Sequence, residues 1–266
     1  MTMSPQDQAL LKMAAEHLEH PSLAVRLSSV LGTPIEIALS LMPRSWYKRL
    51  HLVVEKAIAK SYDAALMSMR HEKRLPHEKF YMAIGAGSGA MAGAFGLLAL
   101  PVELPVTTTV MLRSIAEIAR SEGEDLESEE ARAACLEVFA LGGRTEMDDA
   151  ADIGYYGLRT AVAIPVTTAT YHLNHYGLGR QGSTALLDLI ATIAPRFGVA
   201  VTQKSAAQIV PIVGAASGAL INLLFIQHFQ DMARYHFSVR RLERIYGVDI
   251  VEAAYRQYSG HSKAGS

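Results

Sequence analysis

A small set of polar residues stands out because each lies in an otherwise apolar stretch. Glu103 lies between two prolines in LPVELPVTT, and Asn222, His228 and Asp231 follow one another in NLLFIQHFQDMARYHF. His228 and Asp231 are three residues apart, which places them on one helical face, where an imidazole and a carboxylate can share a hydrogen bond and move protons. A buried polar pocket around these four residues would suit hydrolysis, with Glu103, His228 and Asp231 as catalytic candidates.

Glu103 and Asn222 also have structural interpretations. Pro105 removes a backbone donor and disfavours helical geometry at the preceding residue, so we expect one helix to end near Leu100 and another to run from Pro105 to about Arg120. Glu103 would then lie just outside the first turn, where its negative charge would interact favourably with the helix dipole and stabilise the helix by about 0.3–1 kcal/mol. Asn222 lies within an apolar helix, where an unpaired amide would cost about 1–3 kcal/mol. We therefore expect it to bond a neighbouring helix, with Glu103 or a carbonyl freed by a proline as its partner.

Two uncharged segments are expected to form the elements that position these groups. No charged residue occurs between Lys79 and Glu103 or between Lys204 and Asp231, and both segments exceed the roughly 20 residues that cross a bilayer. Such a segment packs closely against another helix, in membranes and soluble bundles alike, when small residues recur along one face. The two segments therefore form either a tightly crossed pair inside a soluble bundle or a hydrophobic hairpin in a membrane. Glycines recur at this helix-packing spacing at Gly85, Gly89, Gly93, Gly214 and Gly218.

Three arginines form a short basic patch in SVRRLERIYG, directly after the second uncharged segment. Beside a membrane, Arg240, Arg241 and Arg244 could contact anionic lipid headgroups, at about 1 kcal/mol per charge. The alternative is a solvated helix face on which they pair with Glu243.

Signatures of metal and cofactor chemistry are missing from the sequence. It contains no HExxH motif, no phosphate-binding loop that ends in Gly-Lys-Ser/Thr and no GxSxG elbow. The histidine pairs in EHLEH and YHLNH lack the further ligands that zinc requires. The sequence therefore predicts no metal site and no cofactor.

The composition favours a location in the cell interior. Among 266 residues, 50% are hydrophobic and 19% are charged, and the net charge of -1 offers no electrostatic basis for nucleic-acid binding. The single cysteine, Cys135, fits a reducing compartment. The acidic N-terminus does not resemble a secretory signal. We expect a cytoplasmic protein that can be peripheral at the inner face of the cytoplasmic membrane.

The pattern of apolar residues predicts an all-α fold, a single multi-helix bundle built around two central glycine-spaced apolar helices. Ser4-Pro5 and Thr33-Pro34 predict helix starts. We predict an N-terminal helical arm over residues 1–44, a helical domain over 45–258 and a disordered tail over 259–266. Gly123 should end one helix, Gly142-Gly143 should end the next, and Pro165 should kink or break a third. Further helices are expected over about 45–70, 146–176, 183–194, 196–209, 212–236 and 249–258.

The chain from about Tyr47 to Gly247 resembles the EcsC family of bacterial proteins. The resemblance lies in GAGSGAMAGAFGLLALPVELPVTTTVMLRSIAEIARSEGEDL and in TQKSAAQIVPIVGAASGALINLLFIQHFQDMARYHFSVRRLERIYG. The family is named for a gene near an ABC transporter, which implies a link to membrane processes and defines no catalytic residues.

Three functional hypotheses follow from these features. The first is a non-enzymatic, membrane-associated or lipid-interacting accessory protein, whose partner is a membrane lipid or a membrane protein such as an ABC transporter. The second is a soluble helical-bundle hydrolase that uses the polar pocket. The third is a soluble interaction module with one exposed apolar patch.

Overall fold

The computed structural model describes residues 3–69, 99–143, 145, 153–176, 180–209 and 215–259. Regular structure within these residues is entirely helical, which confirms the predicted all-α bundle. The helices are α1 Pro5–Glu19, α2 Leu23–Leu31, α3 Ile35–Ser40, α4 Arg44–Met69, α5 Leu100–Ser121, α6 Glu129–Leu141, α7 Tyr155–Tyr176, α8 Arg180–Ile209, α9 Ala215–Tyr246 and α10 Val248–Tyr258.

The two predicted glycine-spaced apolar helices lie mostly outside the described residues. This applies to the predicted packing positions Gly85, Gly89, Gly93 and Gly214, while Gly218 is buried near the start of α9. The tail residues 260–266 also lie outside the described part of the chain.

Helix boundaries follow the local capping signals in most places. Ser4 caps α1 by accepting a hydrogen bond from the Asp7 amide at 3.1 Å, and Pro5 is the first helical residue, as predicted. Gly123, with a φ of 86°, follows α5 as expected. Thr33 does not cap α3, because Pro34 occupies the cap position and the helix begins one residue later than predicted.

The proline-flanked segment differs from its prediction. α5 begins at Leu100 and continues through Pro105, so Glu103 lies within the first turn and not before it. Pro105 removes one helical hydrogen bond, while its carbonyl accepts hydroxyl bonds from Thr109 at 2.8 Å and from Ser61 of α4 at 3.2 Å. Packing of α5 against α4 therefore outweighs the local tendency of proline to start a new helix.

Two further helices are longer than the sequence predicts. α8 continues through Pro195 instead of dividing there, because buried Ile193, Ala194 and Phe197 hold both sides of the proline in the core. α7 is not broken at Pro165, where a kink or a break was predicted. α9 runs to Tyr246 rather than ending near residue 236, since its later turns still carry buried apolar side chains. In these helices, burial of the side chains on both sides has more influence on where the helix ends than an internal proline does.

The core forms where α6, α8 and α9 meet. Phe139 of α6 lies 4.7 Å from Phe197 of α8, and Phe225 and Phe229 of α9 lie 5.2 Å apart, all measured between ring centroids. Such tilted and edge-to-face rings are the preferred aromatic arrangements. α9 also packs against α1 and α5, and α8 packs against α4 and α7.

The N-terminal helices contact the rest of the bundle. Glu19 is buried at the end of α1 and accepts a hydrogen bond from the Tyr155 amide at 3.1 Å, where α7 begins. The Tyr246 hydroxyl donates to the Asp7 carboxylate at 2.7 Å. The predicted boundary at residue 44 stays a prediction.

Candidate functional site

Glu103 lies in a chain of buried polar side chains that links three helices. Its Oε1 accepts hydrogen bonds from Lys204 Nζ of α8 at 2.6 Å and from the Thr107 hydroxyl at 2.5 Å. Thr107 in turn accepts a bond from the Asn222 amide of α9 at 3.5 Å. Asn222 therefore bonds a neighbouring helix, as expected, and reaches Glu103 through one hydroxyl.

Lys204 is the partner that sequence reasoning missed. Its side chain is 0% exposed, and its ammonium lies 4.8 Å from the centroid of the Phe225 ring. Burial lowers the pKa of Lys204, while the Glu103 carboxylate acts to raise it. Removing one member of such a buried pair typically costs about 3–5 kcal/mol. The arrangement ties α5 to α8.

The other two catalytic candidates have separate partners. His228 is buried and its Nε2 lies 2.7 Å from the Gly142 carbonyl, and burial lowers the pKa of His228 to about 4. The neutral ring therefore donates its Nε2 proton to that carbonyl. Asp231 pairs with Arg26 and Arg234, each at 3.0 Å. The hydrogen bond expected between His228 and Asp231 is not formed.

The basic patch is neutralised by the acidic loop between α5 and α6. Arg240 makes two hydrogen bonds with Glu124, at 2.9 and 3.1 Å, and Arg244 contacts the same carboxylate. Arg241 pairs with Glu122 at 2.8 Å. Burial acts to raise the pKa of Glu124, but the two arginines outweigh it and hold that pKa below its usual value. These contacts fasten the loop to α9.

Glu243 does not pair with these arginines. It accepts two hydrogen bonds from Arg159 of α7, at 2.6 and 3.1 Å, and one from the Tyr156 hydroxyl at 2.8 Å. The alternative stated for the patch, a solvated helix face on which the arginines pair with Glu243, is therefore wrong, because Glu243 pairs with Arg159 of another helix.

A polar pocket lies beside this ion pair. It has a volume of about 420 Å³ and lies between α6, α7, α9 and α10. Its walls combine carboxylates, arginines, threonine hydroxyls and short apolar side chains. Those that define its chemistry are Glu137, Tyr156, Arg159, Thr170, Arg240 and Glu243.

Glu137 of α6 is the unusual member of this pocket. The residue is 5% exposed, and burial raises the pKa of its carboxyl to about 7, an effect that Arg159 and Arg240 partly oppose. Its Oε2 lies 3.9 Å from His236 Nε2, beyond hydrogen-bond distance. His236 Nδ1 lies 3.0 Å from the Tyr155 hydroxyl, and burial lowers the pKa of His236 well below its usual value. The pocket therefore contains a carboxyl that titrates near neutral pH, beside a neutral imidazole.

One sequence signal could have located both buried charges. Glu137 is a lone charge in the apolar helix segment AACLEVFALGG, and Lys204 is the last charge before a long uncharged run. Isolated charges within apolar helix patterns are rarely buried without a partner or a role.

These observations define the class of the protein. It is an all-helical bundle with hydrogen-bonded polar side chains buried in its core and a polar pocket at its side. The model of the EcsC protein family matches residues 27–242, and the chain belongs to this family. The match begins within α2 and includes residues that we assigned to the N-terminal arm. No curated protein and no solved structure matches the chain.

Proposed function

We propose that this EcsC-family protein is a non-enzymatic, membrane-associated or lipid-interacting accessory protein that is peripheral at the inner face of the cytoplasmic membrane. The observation that carries the proposal is an uncharged, exposed stripe along α7. Its members recur at intervals of three and four residues, which places them on one helical face. We call this face the α7 stripe, and it consists of Ala161, Ile164, Thr168, Tyr171 and His175.

The α7 stripe exposes large apolar side chains where a soluble surface would carry charges. Ile164 is 77% exposed and Tyr171 is 52% exposed, and the sequence has no charged residue between Arg159 and Arg180. Leu187, near the start of the following helix α8, is 58% exposed. Apolar groups favour transfer from water to lipid by about 25 cal/mol per Å², and tyrosine suits the membrane–water interface.

α8 adds a compositional argument. The most apolar 18-residue window within its segment Thr184–Ile209 has a mean hydropathy of 1.5, and the segment is long and apolar enough to cross a membrane by length and composition. Half of the most apolar window is buried within the protein. We therefore assign α8 to the bundle, as a support for the α7 stripe, and place membrane contact on the stripe.

The arginine patch supports the proposal less than the α7 stripe does. Arg240, Arg241 and Arg244 already pair with glutamates, so contact with anionic headgroups would require those pairs to separate. The hydrolase alternative has no comparable support, because Glu103, His228 and Asp231 have different partners.

Vesicle flotation tests the proposal. We expect the purified protein to float with vesicles of phosphatidylcholine and phosphatidylglycerol, and the double variant Ile164→Glu, Tyr171→Glu to lose at least about fivefold of its bound fraction, because burying charge in lipid is costly. Val25→Glu is the matched control, since Val25 is 71% exposed on α2, outside the stripe.

Three outcomes would contradict the proposal in different ways. Protein that stays at the bottom of the gradient with both neutral and anionic vesicles excludes direct lipid binding. Equal loss in the control variant would show that the stripe has no special role. Flotation only with native membranes would indicate a membrane-protein partner, such as an ABC transporter, in place of lipid.

A further inference from the structure

We propose that the pocket between α6, α7, α9 and α10 binds a primary ammonium group through the carboxylate of Glu137. The ammonium would belong to a free amine or to the ethanolamine headgroup of a lipid. The free-amine source is independent of membrane association, whereas the lipid source rests on the function proposed above.

The first argument is that the Glu137 carboxyl lines the pocket without a partner. The residue is 5% exposed, and no group among the described residues donates a hydrogen bond to its side chain. His236 Nε2 lies 3.9 Å away in a neutral ring. A buried carboxylate normally has a cation or several donors around it. In this protein, the pocket lies where the carboxyl of Glu137 would otherwise have such a partner.

The second argument is the charge balance of the walls. Arg159 pairs with Glu243, and Arg240 pairs with Glu130 and with Glu124, which Arg244 also contacts. The two arginines that line the pocket thus already have carboxylate partners, whereas Glu137 has no cation within hydrogen-bond distance. An anionic ligand would meet this carboxylate without a free cation among the described lining residues to bind it. A cationic ligand would supply the missing partner.

The third argument concerns the kind of cation. Within the described ranges, no three histidine, cysteine, aspartate or glutamate side chains are grouped to hold a metal ion, which favours an organic cation. A primary ammonium is compact and has three donors. The buried Thr170 hydroxyl lines the same pocket and has no hydrogen-bond partner in the described part of the chain. Ala163 and Val166 offer apolar wall to a short alkyl chain.

The position of the pocket makes a lipid headgroup a suitable source of the ammonium. Thr160, Ala163, Thr167 and Thr170 face the pocket from α7, and the α7 stripe lies on the neighbouring face of the same helix. A protein that rests on a membrane through this stripe would hold the pocket near the headgroups.

Calorimetric titration with ethanolamine and with putrescine tests the ammonium site. We expect binding near pH 8 and a Kd at least about tenfold weaker for Glu137→Gln, because a hydrogen bond between two charged groups is lost. Glu16→Gln removes the same charge from the exposed face of α1 and should leave the Kd unchanged. Circular dichroism of each variant verifies its fold.

A second measurement does not depend on any variant. The groups that face Glu137 are Tyr155 and Arg159 of α7 and His236, Arg240 and Glu243 of α9. An alkyl ammonium keeps its charge at pH 6 and pH 8, as lysine does. The affinity of the unmodified protein should therefore fall roughly tenfold from about pH 8 to about pH 6, where Glu137 takes up a proton.

Vesicles distinguish the two sources of the ammonium. Flotation that increases when phosphatidylethanolamine replaces phosphatidylcholine, and that falls in Glu137→Gln, supports a lipid headgroup. Binding of the free amines with no such increase supports a soluble ligand. The proposal is overturned if neither free amines nor phosphatidylethanolamine vesicles bind, or if Glu137→Gln binds them as the unmodified protein does. Flotation that depends on the α7 stripe alone, together with no binding of the free amines, would leave the membrane proposal intact and remove this one.

Discussion

Glu103 and Glu137 are two carboxyl groups with equal burial and different surroundings. Each residue is 5% exposed and lies on an apolar helix. Glu103 has a lysine at 2.6 Å and a threonine hydroxyl at 2.5 Å, whereas Glu137 has a neutral imidazole at 3.9 Å and a cavity. In the first, which we call a closed connection, Oε1 has an internal cation and a hydroxyl donor, while Oε2 has no hydrogen-bond partner among the described residues. The second carboxyl faces a pocket. Burial alone therefore does not distinguish a charge that is paired inside the bundle from one that faces a pocket; the presence of an internal partner does.

The largest expected effect is on the closed connection. Lys204→Met retains the length of the side chain but leaves Glu103 buried without a cation, so we expect the free energy of unfolding to fall by about 3–5 kcal/mol. Denaturant unfolding followed by circular dichroism measures this loss. Lys12→Met, at an exposed position of α1, should change stability by less than about 0.5 kcal/mol.

A double variant separates the pair from simple packing. Glu103→Leu combined with Lys204→Met removes both charges and should recover most of the stability, because replacing a whole buried pair by apolar groups is often neutral. A loss below about 1 kcal/mol for Lys204→Met alone would show that the pair is not important for stability.

The next effect concerns the pH dependence that Glu137 causes. Its folded-state pKa is raised from 4.5 to about 7, so between these values the folded protein keeps a proton that the unfolded chain releases. The stability that this group provides is therefore complete below about pH 4.5 and is lost as the pH rises to about 7, a change of roughly 3 kcal/mol. Glu137→Gln resembles the protonated carboxyl and lacks this loss.

Unfolding free energies of the two proteins between about pH 5 and pH 8 measure the difference. We expect the unmodified protein to lose stability relative to Glu137→Gln as the pH rises. His228 and His236 have lowered pKa values and act in the opposite direction, but they are present in both proteins. A constant difference between the two proteins would mean that Glu137 is ionised throughout, as a closed ion pair would be.

The smallest effect is expected in the arginine patch. Arg241→Gln breaks the pair with Glu122, in which the arginine side chain is 35% exposed, so we expect a loss of less than about 1 kcal/mol. The loss should nearly disappear at about 1 M salt, where the Debye length falls to about 3 Å. Chemical denaturation at low and high salt tests this expectation. A loss as large as that of Lys204→Met would place Arg241 among the closed connections.

Sequence patterns predicted those features that depend on neighbouring residues. The start of α1 at Ser4-Pro5, the end of α5 near Gly123 and the bond from Asn222 to another helix were all anticipated. The continuation of α5 and α8 through their prolines was not, because contacts with distant helices outweigh one missing hydrogen bond. The His228–Asp231 pair was wrong for a similar reason. Spacing placed the two residues on one face, but Gly142 and Arg26 are better placed as their partners.

By itself, the sequence determined the class of fold and the family, since these follow from composition, periodicity and motifs along the chain. Only the tertiary structure decided which charges meet. Glu103 and Lys204 are separated by 101 residues, and Glu137 approaches His236 across two helices. No local pattern encodes such distances, because they depend on how whole helices pack. That packing closes the environment of one buried carboxyl and leaves the other facing a pocket.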